Sequence, residues 1–157
     1  MSIALVRVDD RLVHGQVVVG WGRATGATRV ALVDDAVRES EWEQELYRTG
    51  VPPEIALEFV SVADAPAALA RWAASEERTI VLVGDIATLA RMCEASDAIA
   101  KVNLGGIHSG PGRTQRLPYV YLSEAETAQL NALAERGVAV TAQDVPTAAP
   151  VALERLT

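Results

Sequence analysis

The densest chemistry in the chain lies in one short stretch. Arg7-Val-Asp-Asp-Arg-Leu-Val-His-Gly-Gln16 packs six polar side chains into ten positions. His14 stands just ahead of Gly15 and the apolar run Val17-Val-Val19. It therefore sits on a loop that opens a helix, where backbone N–H groups lack intrahelical partners and the helix dipole favours an anion. Arg11, three residues back, offers a fork of donors to the same anion. An anion beside a histidine suggests phosphate, because a neutral imidazole is a good nucleophile near pH 7. Loop N–H groups and a guanidinium would stabilise the equatorial oxygens of a phosphoryl group in flight. Asp9 or Asp10 would accept a hydrogen bond from the other ring nitrogen, fixing the tautomer and stabilising a charged phosphohistidine. The plainer reading is a polar surface loop in which Asp10 and Arg11 form an ion pair worth less than ~1 kcal/mol.

Such a loop needs a scaffold, and the hydrophobic pattern supplies one. Short β-rich runs cover 3–8, 28–33, 55–61, 79–83, 98–104, 118–122 and 138–143. Helical periods fall between them, at 15–24, 39–48, 64–74, 86–95 and 123–136, with a last turn or two at 151–156. Ser123-Glu-Ala-Glu126 is a capping box and Gly137 a helix stop. Strands alternating with helices of this length predict βαβ crossovers. The expected fold is α/β, a doubly wound, mainly parallel sheet of about seven strands with helices on both faces. Ligands of such sheets bind beyond the carboxyl ends of the strands. The polar residues gather there: Asp34 and Asp35 after the second run, Gly84 and Asp85 after the fourth, Asn103 and His108 after the fifth. Asp34, Asp35, Gly84, Asp85 and His108 are therefore candidates for a site wall. The three aspartates would hold Mg²⁺ or, more simply, cap helices. Residues 105–117 read as one long loop, in which Arg113 and Arg116 add positive charge. Trp21 is a candidate roof for the first loop, and Trp42 and Trp72 read as core or half-buried packing. Cys93 lies on an apolar helical face and reads as core.

Composition removes other classes. The 157 residues carry 14 Lys+Arg against 21 Asp+Glu, a net charge of −7. Such an acidic balance argues against non-specific nucleic-acid binding. A lone cysteine forms no internal disulfide, and with two histidines it makes a Cys/His zinc cluster improbable. No run approaches the ~18 apolar residues of a membrane span. The opening Met1-Ser-Ile-Ala-Leu-Val-Arg7 lacks the basic start and long apolar core of a signal peptide. The expectation is one cytoplasmic domain over 1–157, without metal or cofactor and without direct membrane insertion. Neither Gly-x-Gly-x-x-Gly before a helix nor Gly-Lys-Ser/Thr occurs, so nucleotide binding has little support. The sequence leaves a homo-oligomer open.

The block Arg7-Val-Asp-Asp-Arg-Leu-Val-His14-Gly-Gln-Val17, with Trp21 four residues on, resembles the IIB component of the mannose/fructose/sorbose family of the bacterial sugar phosphotransferase system. Val33-Asp-Asp-Ala-Val37, Val102-Asn-Leu-Gly-Gly-Ile-His108 and Gly137-Val-Ala-Val-Thr-Ala-Gln-Asp-Val-Pro146 match further family segments in order. Gly84-Asp85 departs from the family's polar or basic turn. The resemblance implies a phosphocarrier: phosphorylated IIA hands its phosphoryl group to His14 at Nδ1, and His14 passes it to a sugar during import by the membrane IIC/IID pair. It implies that Arg11 binds the phosphoryl group, with N–H groups of Val13, Gly15 and Gln16 nearby. It places the chain in the cytoplasm, transiently at the inner face of the membrane. Two rivals keep parts of this: a regulatory phosphorylation sensor using the same His14, and a small-molecule binding module without covalent chemistry.

Overall fold

The computed structural model describes residues 2–157. The chain runs β1 (Ile3–Val8), a π-helical turn (Gln16–Trp21) continuing into α1 (Gly22–Thr25), β2 (Arg29–Val33), α2 (Asp35–Arg38), α3 (Glu41–Thr49), β3 (Ala56–Val60), α4 (Ala65–Ala74), β4 (Thr79–Val83) and α5 (Ile86–Ala95). There follow β5 (Lys101–Leu104), β6 (Arg113–Leu117), β7 (Val120–Ser123), α6 (Glu124–Glu135), β8 (Ala139–Ala142), β9 (Val151–Ala152) and a 3₁₀ turn (Leu153–Arg155). The main sheet has seven strands in the order β3-β2-β4-β1-β5-β8-β9. All pairs are parallel except β8 with β9.

The sheet is buried on both faces, so its central strands read as nearly continuous apolar runs, broken at Arg7, Thr79 and Asn103. In β4 all five residues are buried. Val81 and Val83 join a core with Leu69, Trp72, Leu89, Met92, Leu130 and Leu133 from α4, α5 and α6. Ile80 and Leu82 face the other way, onto Val17, Val18 and Trp21 of the first helix and Val37 of α2. The strand's two-residue period thus feeds two separate cores. Cys93 is buried in the first of them. The α6 start is capped as its sequence predicts: the Ser123 hydroxyl accepts from Glu126 N (3.1 Å) and Glu126 Oε1 accepts from Ser123 N (2.9 Å).

Topology sets the position of the first loop. From β1 the chain crosses over to β2 on one side of the sheet; from β5 it leaves for β8 on the other. The outgoing paths diverge between neighbouring strands, and the gap above their carboxyl ends is where doubly wound sheets hold ligands.

Three expectations change. The seven-strand count holds with a different membership: β7 pairs with β6 in a separate hairpin, and β9 closes the main sheet where 151–156 read as helix. Residues 113–117 are a strand and not part of a loop. Arg-Thr-Gln-Arg-Leu hides this because neither face of β6 is fully buried. Trp42 is not packed: it is 73% exposed, on an α3 with no buried residue. Trp72 is fully buried, and its indole N–H donates to Glu58 (3.0 Å).

Candidate functional site

The site is built outward from Arg7. This arginine sits inside an apolar strand and is fully buried. A buried guanidinium needs partners for its donors, and the two Nη groups find them. It donates to Asn103 Oδ1, to the Gln143 carbonyl (2.9 Å) and to the Asp144 carbonyl (3.1 Å). It also stacks 4.8 Å from the Trp21 ring centre, so Trp21 lies behind the first loop and not over it. Burial pushes the Arg7 guanidinium below its ordinary range, and Asp9 opposes that. The two side chains leave the same face of the strand end, with Nη2 3.4 Å from Asp9 Oδ2.

Asp9 is fully buried and collects the loop around itself. Its Oδ1 accepts from Arg11 N (3.1 Å) and Nε (3.0 Å), and Oδ2 accepts from Arg11 Nη2 (2.8 Å). His14 Nε2 lies 3.3 Å from the same Oδ2, off the line of a good hydrogen bond. Burial pushes the Asp9 carboxyl up, but His14 beside it and the Arg11 donors outweigh this and hold it well below the usual carboxylate range. Arg11 is in turn raised by its hydrogen bonds to Asp9. Asp9 is therefore the aspartate that faces both His14 and Arg11.

The loop closes by a turn in which Leu12 N donates to the Asp9 carbonyl (3.0 Å). Leu12 takes φ +60, a left-handed conformation that a branched side chain adopts only under constraint. Its side chain rests on Gly84, where an added Cβ would come within 2.8 Å of Leu12 Cδ2. Gly84 is thus a wall of the loop because it has no side chain. Gly105 plays the same part below: a Cβ there would overlap the Arg7 guanidinium and lie 2.7 Å from Asp9 Oδ2.

His14 is half-buried, and its two ring nitrogens differ. Nε2 is buried against Asp9, whereas Nδ1 has no partner among the described residues and reaches the surface. Among the described residues, no group accepts from the backbone N–H of Val13, His14, Gly15 or Gln16. These donors lead into the π-helical turn, a local irregularity that often marks functional sites. Val13 is buried, while Gly15 and Gln16 are exposed. Arg11 Nη1, not used by Asp9, approaches Gln16 Oε1 (3.4 Å).

The remaining candidates do other work. Asp10 turns away from His14: its carboxylate accepts from His108 N (2.7 Å) and meets His108 Nδ1 (2.6 Å). It staples the first loop to the loop after β5, so His108 is a neighbour through Asp10. Asp34 caps α2 at Val37 N (2.9 Å), Asp35 accepts from Val62 N (2.8 Å) and Asp85 caps α5 at Thr88 N (2.7 Å). Asp34 and Asp85 thus serve as helix N-caps, and Asp35 ties α2 to the turn after β3. Among the described residues no group of three or more His, Cys, Asp or Glu is arranged to hold a metal. Arg113 and Arg116 are also committed: Arg113 forks onto Glu126 (2.9 and 2.8 Å), and Arg116 donates to the Leu156 carbonyl (3.0 Å).

The sequence reading assigns no role in the site to Arg7, Asn103 or Gln143, although it places Asn103 at a strand end. A signal existed for Arg7: a charge inside an apolar strand must meet an opposite charge, and Asp9 follows on the same face. The carbonyls of residues 143 and 144 carry no local signal, since only the β5–β8 pairing brings them there.

Residues 3–157 match the family described as PTS system sorbose subfamily IIB component. The chain belongs to that family. The N-acetylgalactosamine-specific phosphotransferase enzyme IIB component 1 of Escherichia coli K12 is 30% identical over 148 residues, 92% of each chain. The mannose-specific EIIAB component of the same strain is 30% identical over 147 residues, and the chain spans 46% of its length. The crystal structure of the IIBSor domain of the sorbose permease from Klebsiella pneumoniae superposes with a TM-score of 0.89 at 29% identity, covering 99% of this chain and 96% of that one. A IIB component is a phosphocarrier in sugar import. No helix among the described residues is long and apolar enough to cross a membrane.

Proposed function

We propose that His14 is the phosphoryl carrier of this IIB component and that Nδ1 is its nucleophile. One observation carries the assignment: Nε2 is buried beside the Asp9 carboxylate, while Nδ1 is open. With the ring proton on Nε2, turned toward Asp9, Nδ1 keeps its lone pair. The Nδ1 lone pair attacks phosphorus on phosphorylated IIA. The Nδ1–P bond forms as the donor's own nitrogen–phosphorus bond breaks, and the donor imidazole leaves with that electron pair. The His14 ring then bears positive charge, which the Asp9 anion offsets at 3.3 Å from Nε2. The unpaired N–H groups of Val13, Gly15 and Gln16 and Arg11 Nη1, which Asp9 does not hold, receive the phosphoryl oxygens.

In the second half a sugar hydroxyl oxygen attacks phosphorus. The new O–P bond forms, Nδ1 departs with its electron pair, and the hydroxyl proton passes to solvent. The partners are phosphorylated IIA, the membrane IIC/IID pair and the sugar. The protein works as one IIB domain in the cytoplasm and visits the inner face of the membrane. The mannose-specific relative, whose name joins A and B parts, supports IIA as the donor.

The test is incubation with phosphorylated IIA followed by mass spectrometry of the labelled peptide. Label on the peptide containing His14, absent in His14→Ala, is the expected result. Equal labelling of both proteins would reject the assignment.

A further inference from the structure

We propose that the outward face of α3 is the surface by which this protein docks on its membrane permease, and that it engages Lys/Arg-bearing cytoplasmic loops around an apolar notch. The inference rests on the phosphocarrier reading above.

Trp42 and Leu46, one helical turn apart on α3, are 73% and 56% exposed. They are two of the three exposed large apolar residues among those described. An indole presented this way is the side chain that most often anchors an interface. Nothing in the fold asks for it there. Tyr47 faces inward onto Phe59 (ring centres 6.3 Å apart), and Gln44 ties α3 to α2 through the Val37 and Arg38 carbonyls (3.0 and 2.9 Å). The outer face is left free of internal duty.

The position suits handover. Phe59, next to last in β3, packs against Tyr47 and Arg48. The start of α3, with Trp42, therefore projects past the carboxyl end of the sheet, the edge that carries His14. Val19, 42% exposed on the first helix, is a further exposed apolar side chain, five residues along the chain from His14.

Charge selects the occupant. Residues 34–48 hold six acids and two arginines, and Glu39, Glu41 and Glu45 around Trp42 are exposed. Arg48 pairs back to Glu45 (3.0 Å). An acidic surface is repelled by the anionic inner leaflet. It is attracted by the short cytoplasmic loops of a membrane protein, which are enriched in Lys and Arg. The occupant is thus the permease and not the lipid around it.

The experiment uses the full chain with inside-out vesicles, with and without the IIC/IID pair, and reads bound protein by sedimentation. Labelling by phosphorylated IIA is followed separately in solution. Trp42→Ala is expected to weaken binding to permease vesicles at least about tenfold. Glu41→Lys with Glu45→Lys should do the same, and wild-type binding should fall with added salt. IIA labelling should stay unchanged in every variant. Equal binding of wild type and Trp42→Ala would overturn the proposal. So would equal binding to vesicles lacking the permease, or labelling by IIA slowed as much as docking. Failure of wild type to be labelled at His14 would overturn the phosphocarrier reading, which the binding arm does not measure.

Discussion

Asp9→Asn tests the geometry most directly, because it keeps the shape and removes the charge. The carboxylate holds Arg11 N and Nε on one oxygen and Arg11 Nη2 and Arg7 Nη2 on the other. A carboxamide has one acceptor oxygen. If that oxygen stays with Arg11 N and Nε, the amide NH₂ replaces Oδ2. It then stands against two guanidinium donors, 2.8 and 3.4 Å away. Losing two charge-assisted bonds, and leaving Arg7 buried without its counter-charge, should cost about 3–5 kcal/mol. For a chain of this size that lowers Tm by roughly 6–20 °C. The NH₂ also faces His14 Nε2 at 3.3 Å and would donate to it. That moves the ring proton to Nδ1 and removes the nucleophilic lone pair. A wrong-tautomer imidazole slows proton-coupled group transfer by up to about 10⁴-fold, so a loss of ~10³-fold or more is expected here. Single-turnover transfer from phosphorylated IIA gives the rate, and ¹⁵N NMR of the His14 ring gives the tautomer. A folded Asp9→Asn protein that accepts phosphate at the wild-type rate, with its proton still on Nε2, would refute the reasoning.

Three further outcomes follow from the same contacts. Arg11→Ala should slow transfer at least about tenfold by removing a charge-assisted phosphate contact, read in the same single-turnover assay. Gly105→Ala should destabilise by about 1–3 kcal/mol, since its Cβ meets two fully buried side chains that have no room to move; thermal unfolding checks this, and an unchanged Tm would show that the Arg7–Asp9 pedestal yields easily. Because the Asp9 carboxyl is depressed in the folded protein, its stabilisation is complete above its ordinary range near pH 4 and fades as pH falls through the lower folded value. Urea unfolding across that acid window should therefore lose stability more steeply in wild type than in Asp9→Asn.

Most of the scaffold was legible because period and burial agree. Ile3–Val8, Ile86–Ala95 and the Ser123 capping box stand where pattern and capping chemistry put them. The misreadings are long-range. Val151–Ala152 joins the sheet only because β8 offers an antiparallel edge, which no local period encodes. Trp42 looked like core because tryptophans usually are, but α3 turns Tyr47 inward in its place. The spacing of Arg11 and His14 puts both on one loop, and the structure brings both against Asp9. Which aspartate serves the ring was open, and backbone direction decides it: Asp9 N is tied to the Val83 carbonyl and Asp10 N to the Gly106 carbonyl, so successive side chains point to opposite places.

The central seat of β1 has a consequence for biosynthesis. Its neighbours, β4 and β5, begin at Thr79 and Lys101. At ribosomal speeds of about 5–20 residues per second, the strand that leads into His14 waits several seconds for the segments that will flank it. Through that interval Ile3–Val8 is an unpaired apolar ribbon, open to chaperones and to sister nascent chains. A polypeptide arrested before Leu104 would hold the whole reactive loop in its covalent sequence and still be unable to assemble it.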